Sequence, residues 1–320
     1  MASSITFDET TPEQKSARER ARAMQAQLDI EHDPVSYWDM VWYRLRRDKL
    51  TIAAFAVLLL FGILSYGSPL ITKYLYKQDP NRIEILDTYA PPSAEHWLGM
   101  DELGRDQLAR LLHGGRISLT IGLAGAALTM SIGVFFGAVA GFFGGWVDDV
   151  IMWFINTMSS IPFLLFLIIV SQLFKPTWYV LVVFIAINGW MGTSRLVRGE
   201  VLSVKERDYV LAAQALGVPM RKIIVRHVLP NVIPIVIILT AGSIGGLILI
   251  ESALSFLGLG VQPPTATWGN MLDQAYHHLE SEPWMWFFPG MFILLTVLGI
   301  NFLGDGLRDA LDPRALAESE

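Results

Sequence analysis

The sequence predicts an all-α polytopic membrane protein with six transmembrane helices. Two observations carry that reading. Of 320 residues, 52% are hydrophobic and only 17% are charged, against roughly a quarter charged in ordinary soluble domains. The apolar residues are also gathered into blocks about 20 residues long, the length that crosses ~30 Å of hydrocarbon as helix. The net charge of −6 is spread along the chain and implies no nucleic-acid partner. The absence of cysteine excludes thiol catalysis, Cys-ligated zinc and disulfides. Residues 1–36 form a polar tail that includes Glu13, Lys15, Arg18, Glu19, Arg20 and Arg22. No cleavable signal peptide is expected there, so the first span acts as the insertion signal.

Tyr37 to Lys49 sets aromatics ahead of Arg44, Arg46, Arg47 and Lys49, which suits an interfacial helix with its cations at the headgroups. The first span runs from Leu50 to Tyr66 and extends to Ile71, closing a segment at 37–71. A long polar connection covers 72–115. Within it His96, Asp101, Asp106 and His113 invite a metal reading, but their spacing matches no ligand set and they also read as caps and turns. A core of spans occupies 116–304. The second, from about Ser118 to Phe143, carries Gly133, Gly137 and Gly141 at four-residue spacing. In lipid such a small-residue face lets helix backbones approach closely, within the chain or with a partner. A short linker, Gly144 to Asp149, makes the third span an antiparallel neighbour. That span, about Val150 to Leu173, carries Asn156, Ser159, Ser160 and Pro162, which serve either as helix glue and kink repair or as ligand contacts.

The fourth span covers about Thr177 to Met191, and a polar, basic stretch follows over 195–230. Its centre, Asp208 to Leu216, reads as a short helix stopped by Gly217. Val218 and Pro219 turn the chain, and a second helix runs from Met220 towards Pro230. From the residues alone this is either a docking surface or an ordinary solvated loop. The fifth span, from near Asn231 to about Leu259, is longer than the hydrocarbon, so it tilts or projects. Near its far end Glu251 either marks a pathway or buried pair, or lies solvated at an interface. Pro263 and Pro264 turn the chain into a short external helix. His277 and His278 read as surface residues. The sixth span runs from about Trp284 to Leu303, and a tail covers 305–320. Basic residues cluster at 44–49, in the 195–230 stretch and at Arg308 and Arg314, whereas 261–283 has no Lys or Arg. The positive-inside rule therefore puts both termini and the polar stretch in the cytoplasm.

The polar stretch resembles the loop of bacterial ABC importer permeases that contacts the ATP-hydrolysing subunit. The pattern is E-A-A, three residues, Gly, nine residues, I-x-L-P. Ala212, Ala213, Gly217, Leu229 and Pro230 stand at matching spacing, with Leu211 in place of the Glu and His227 in place of the Ile. HWLGMDELGRD (96–106) resembles a second family segment, H-P-L-G-T-D-x-L-G-R-D; Trp97 and Met100 depart from it, while Gly99, Asp101, Leu103, Gly104, Arg105 and Asp106 match. ESALSFLGLGVQPPTATWGNML (251–272) and GDGLRDALDPR (304–314) are two further matches. From Trp38 to Arg314 the chain is similar to the C-type permeases of dipeptide, oligopeptide and nickel importers.

The resemblance implies an ABC importer type I permease fold in the bacterial cytoplasmic (inner) membrane, with both termini cytoplasmic. It implies a homologous second permease completing the pore, two ATP-binding subunits that hold ATP and Mg, and an external substrate-binding protein. No cofactor is implied for this chain. The coupling contacts would be Asp208, Tyr209, Ala212, Ala213, Ala215, Leu216, Gly217, Leu229 and Pro230, and Glu251, Asn156 and Ser160 are pathway candidates. The residues agree on one point: no phosphate loop G-x-x-x-x-G-K-[ST] is present, nor H-E-x-x-H, nor G-x-S-x-G. A non-catalytic subunit driven from outside fits best. Peptide is preferred as substrate because the spans offer a cation only Glu251. Nickel or another solute, an ion-coupled secondary transporter and a structural membrane protein are the alternatives.

Overall fold

The computed structural model describes residues 37–174 and 177–311. The expectations for the 1–36 tail and for residues beyond 311 lie outside the described residues. An amphipathic helix, α1 (Tyr37–Arg47), comes first. Helix α2 (Lys49–Tyr66) is capped by Asp48, whose carboxylate accepts from Leu50 N at 3.0 Å and from the Thr51 hydroxyl. One helical turn and a π-helical turn (Ile71–Leu75) extend this span past Ile71.

Helix α3 (Gln107–Phe143) has 37 residues, about 55 Å at 1.5 Å per residue, and so exceeds the bilayer core. It begins at Gln107 rather than Ser118 because Asp106 caps it, accepting from Ala109 N at 2.7 Å. The third span is not one straight helix. It breaks into α4 (Gly145–Ser159) and α5 (Phe163–Leu173), bent by 71° at Ser160–Pro162. Pro162 has no N–H to continue the ladder, so α5 starts after it. Helix α6 (Trp178–Lys205) overruns the expected end at Met191, so residues 195–205 continue this helix rather than forming a loop. Helix α7 (Asp208–Ala215) follows. Then α8 (Met220–Phe256) runs 37 residues with a π turn at Ile224–Val228, just ahead of Pro230 and Pro234. A short helix α9 (Trp268–Ala275) and α10 (Pro283–Leu311) complete the order. Among the described residues five helices are long and apolar enough to cross a membrane, and the bent pair α4–α5 brings the number to six when counted as one broken span.

The glycine face of α3 meets α6 within the chain. A Cβ on Gly133 would lie 2.6 Å from Thr193, on Gly137 2.6 Å from the Ser194 carbonyl oxygen, and on Gly141 2.8 Å from that of Arg198. Only glycine permits this backbone approach, which zips the two helices together down to the Phe143 end of α3. Helix α8 packs across α3 and α10, and α10 lies along α2. The outer faces stay apolar: Phe55, Leu59 and Ile63 on α2 and Leu164, Leu165 and Ile169 on α5 are exposed. That pattern is inverted relative to a soluble protein and suits lipid or another membrane chain.

Candidate functional site

At one end of the α3–α6 pair sits a compact platform. Lys205, last in α6, donates from Nζ to the Phe142 carbonyl at 2.7 Å, satisfying an end group of α3. Arg198 makes a two-pronged ion pair with Asp148 at the foot of α4. These contacts fix the ground on which α7 rests. Val210 and Ala213, three residues apart, share one face and are buried with Phe142, Val201, Val204, Ile223 and Val228. The opposite face is open: Tyr209, Leu211 and Ala212 are exposed, as are Ala215 and Leu216 at the tip.

The end of α7 is a Schellman motif. Gly217 has φ +72°, Val218 N donates to the Ala213 carbonyl at 3.1 Å and Gly217 N to that of Gln214 at 3.0 Å. Glycine is required there for its backbone, since a Cβ would meet nothing within 4 Å. Pro219 then opens α8, its carbonyl accepting from Lys222 N at 2.8 Å.

The sequence-derived coupling residues thus sit together but play two parts. Asp208, Tyr209, Ala212, Ala215, Leu216 and Gly217 face out, while Ala213 faces in and anchors the helix. Leu229 is half-buried and Pro230 exposed at the start of the straight part of α8. Position 211, where the family pattern has Glu, is on the outer face as an exposed Leu. Sequence reading missed Met220 and Val225, which extend the apolar patch across to α8. Exposed Arg207, Arg221, Lys222 and Arg226 rim it. An apolar centre with a polar rim is the composition of a protein interface.

Glu251 is fully buried, so the solvated reading does not hold. Ser118 Oγ donates to one of its oxygens at 2.9 Å and Ser255 Oγ to the other at 2.8 Å. Ser118 Oγ also accepts from Trp268 N at 3.2 Å. The carboxyl group therefore ties α8 and α3 to the start of α9, and no cation pairs with it among the described residues. Asn156 and Ser160 lie elsewhere, at the span break. Asn156 Oδ1 accepts from Arg195, and Ser160 Oγ donates to the Thr157 carbonyl at 2.7 Å.

The four metal candidates at the opposite end do not converge. Asp101 is buried against Arg105 (2.7 Å) and Arg110 (3.2 Å). Asp106 caps α3 and accepts from the Tyr76 hydroxyl at 2.7 Å, with His96 Nδ1 at 2.8 Å. His113 meets Thr72 instead. Burial, then the bond to Asp106, pushes the Tyr76 phenol above its ordinary range. Gly99 and Gly104, at φ +76° and +67°, fold this knot tightly. Gln274 on α9 accepts from Arg105 at 3.3 Å and Arg110 at 3.5 Å, and Gln107 donates to the Met285 carbonyl at 2.9 Å. The segment is a buried polar knot that joins α3, α9 and α10. The expected short helix after Pro263–Pro264 is α9, set by a Thr267–Asn270 capping box. His277 is exposed, and His278 is half-covered against Tyr89 and Glu282.

Two family models match the chain: "Binding-protein-dependent transport system inner membrane component" over residues 133–316 and "N-terminal TM domain of oligopeptide transport permease C" over residues 36–92. The chain is 40% identical to the oligopeptide transport system permease protein OppC of Haemophilus influenzae, over 87% of this chain and 89% of that protein. It is 39% identical to the dipeptide transport system permease protein DppC of Bacillus subtilis, over 89% and 88%. To the OppC of Mycobacterium bovis it is 38% identical, over 86% and 94%.

Proposed function

Because the chain belongs to the family of binding-protein-dependent transport system inner-membrane components, we propose that it forms half of the pore of an ATP-driven peptide importer. The relatives named for oligopeptide and dipeptide transport support peptide as the cargo. The observation that carries the coupling mechanism is the α7 platform, an exposed apolar patch with a basic rim on a rigid, glycine-zipped support.

In this reading an ATP-binding subunit takes Tyr209, Leu211 and Leu216 into a groove on the cytoplasmic side. Nucleotide-driven closure of two such subunits moves α7 and, through it, the long helices α6 and α8. The pore formed with a homologous permease then changes its open side. ATP and Mg belong to those subunits, and this chain is non-catalytic. Coupling requires that the groove grip α7 differently in the two nucleotide states. An external binding protein delivers peptide over the α9 side. Both termini are cytoplasmic. The hydroxyl-held, cation-free setting of Glu251 favours a structural part over ion coupling.

The test uses the cysteine-free background. Leu216→Cys, combined with a bifunctional thiol reagent, should capture the ATP-binding subunit in the assembled transporter and be inert to impermeant reagents added outside the cell. Labelling from outside, or no capture, would overturn the reading.

A further inference from the structure

Arg195 is an exposed cation within α6, a helix long and apolar enough to cross a membrane. Its Nη2 donates to Asn156 Oδ1 at 3.1 Å and to Ser159 Oγ at 2.9 Å, both exposed on α4 beside the span break. Those acceptors fix its place along α4. Asp148, which holds Arg198, marks the foot of α4, and Asn156 and Ser159 stand roughly 12 and 17 Å farther along it. The guanidinium thus reaches along α4, away from the Arg198–Asp148 pair.

A charged head on an apolar span faces a water-filled cavity or another chain rather than lipid. No carboxylate pairs with it among the described residues. Both of its bonds leave from Nη2, so the Nε–H and Nη1–H groups remain as separate donors for a carboxylate oxygen. Two helix turns away, Asn188 lines a recess of about 130 Å³ with Phe154, Met158 and Ile161.

We propose that Arg195, steadied by Asn156 and Ser159, is the carboxylate-binding residue of the translocation pathway and takes the C-terminal carboxylate of a passing peptide. This rests on the peptide-importer reading above. A single, solvated contact suits a pathway, where cargo must be held and then released.

The test is made in proteoliposomes holding the complete transporter. Arg195→Gln should lower uptake of a free-acid tripeptide about tenfold, the scale of one charge-assisted hydrogen bond. ATP hydrolysis stimulated by loaded binding protein should stay near wild type. Arg195→Lys should recover most of the uptake. Arg195→Cys, unique in a chain with no cysteine, should react with a negatively charged, membrane-impermeant thiosulfonate, read by mass on this chain. Unchanged uptake in Arg195→Gln, an equal fall in uptake and hydrolysis (a subunit-interface role), or an unreactive Cys would each overturn the assignment. Absence of ATP-driven uptake by the wild type would instead remove the importer reading.

Discussion

Leu216 is 84% exposed on this chain, at the tip of α7 where Gly217 ends the helix. An ATP-binding subunit that closes over the tip covers it. Fully covering a leucine side chain is worth about 1.5–3 kcal/mol. Leu216→Ala forfeits most of the exposed share, roughly 1–2 kcal/mol, or about a five- to thirtyfold loss of affinity. Because the side chain rests on little inside the chain, folding stability should move by less than about 0.5 kcal/mol. The assay is titration of purified ATP-binding subunit onto the permease pair in nanodiscs. Val210→Ala is the contrasting control. Val210 is buried beneath the same helix, so its truncation should destabilise the chain by on the order of 1–2 kcal/mol through lost packing. Affinity within twofold of wild type for Leu216→Ala would refute the docking patch.

Three further outcomes are expected. Gly137→Leu drives a side chain into the Ser194 carbonyl and should pry α3 from α6. It should lower thermal stability in detergent by upwards of about 2 kcal/mol and uncouple ATP hydrolysis from uptake, whereas Gly62→Leu, with open space around it, should do neither. Glu251→Gln keeps shape and one of the two acceptor oxygens, and its amide N–H can donate to the other serine oxygen, so it should leave ATP-driven uptake within about threefold. Glu251→Ala strands the Ser118 and Ser255 hydroxyls at roughly 1–3 kcal/mol, read as a lower melting temperature; a proton-gradient dependence lost in Glu251→Gln would reverse this view. The Tyr76 phenol is held protonated in the fold, so its contribution is complete below about pH 10 and declines as pH rises above that value. Tyr76→Phe should therefore lower stability at neutral pH and flatten the alkaline slope, as chemical denaturation at several pH values would show.

The spans were legible because apolar blocks of membrane length have few other uses, and Gly133, Gly137 and Gly141 announced a contact face without naming its partner. Coordinates supply Thr193, Ser194 and Arg198 as that partner. Helix ends were less legible. Polar Gln107, Arg110 and His113 suggested loop, yet Asp106 caps a helix there, and Arg195 and Arg198 also suggested loop, yet α6 continues through both. Hydropathy responds to side-chain polarity, while helix continuation depends on backbone bonds and on partners such as Asp148 that lie far away in the chain. Pro162 and the polar Asn156–Ser160 run signalled a kink, but not that its amide and hydroxyl would converge on Arg195. For α7, the spacing Ala213 to Gly217 was enough to find the platform. Its extension to Met220 and Val225 depends on how α8 folds back beside it, which no local pattern records.

The most direct test is radiolabelled peptide uptake into vesicles that hold this chain and its permease partner, with and without the ATP-binding subunits. Accumulation should need both those subunits and ATP, and disappear when either is omitted. Concentrative uptake by the permease pair alone, driven by an ion gradient, would contradict a pore worked from outside through α7.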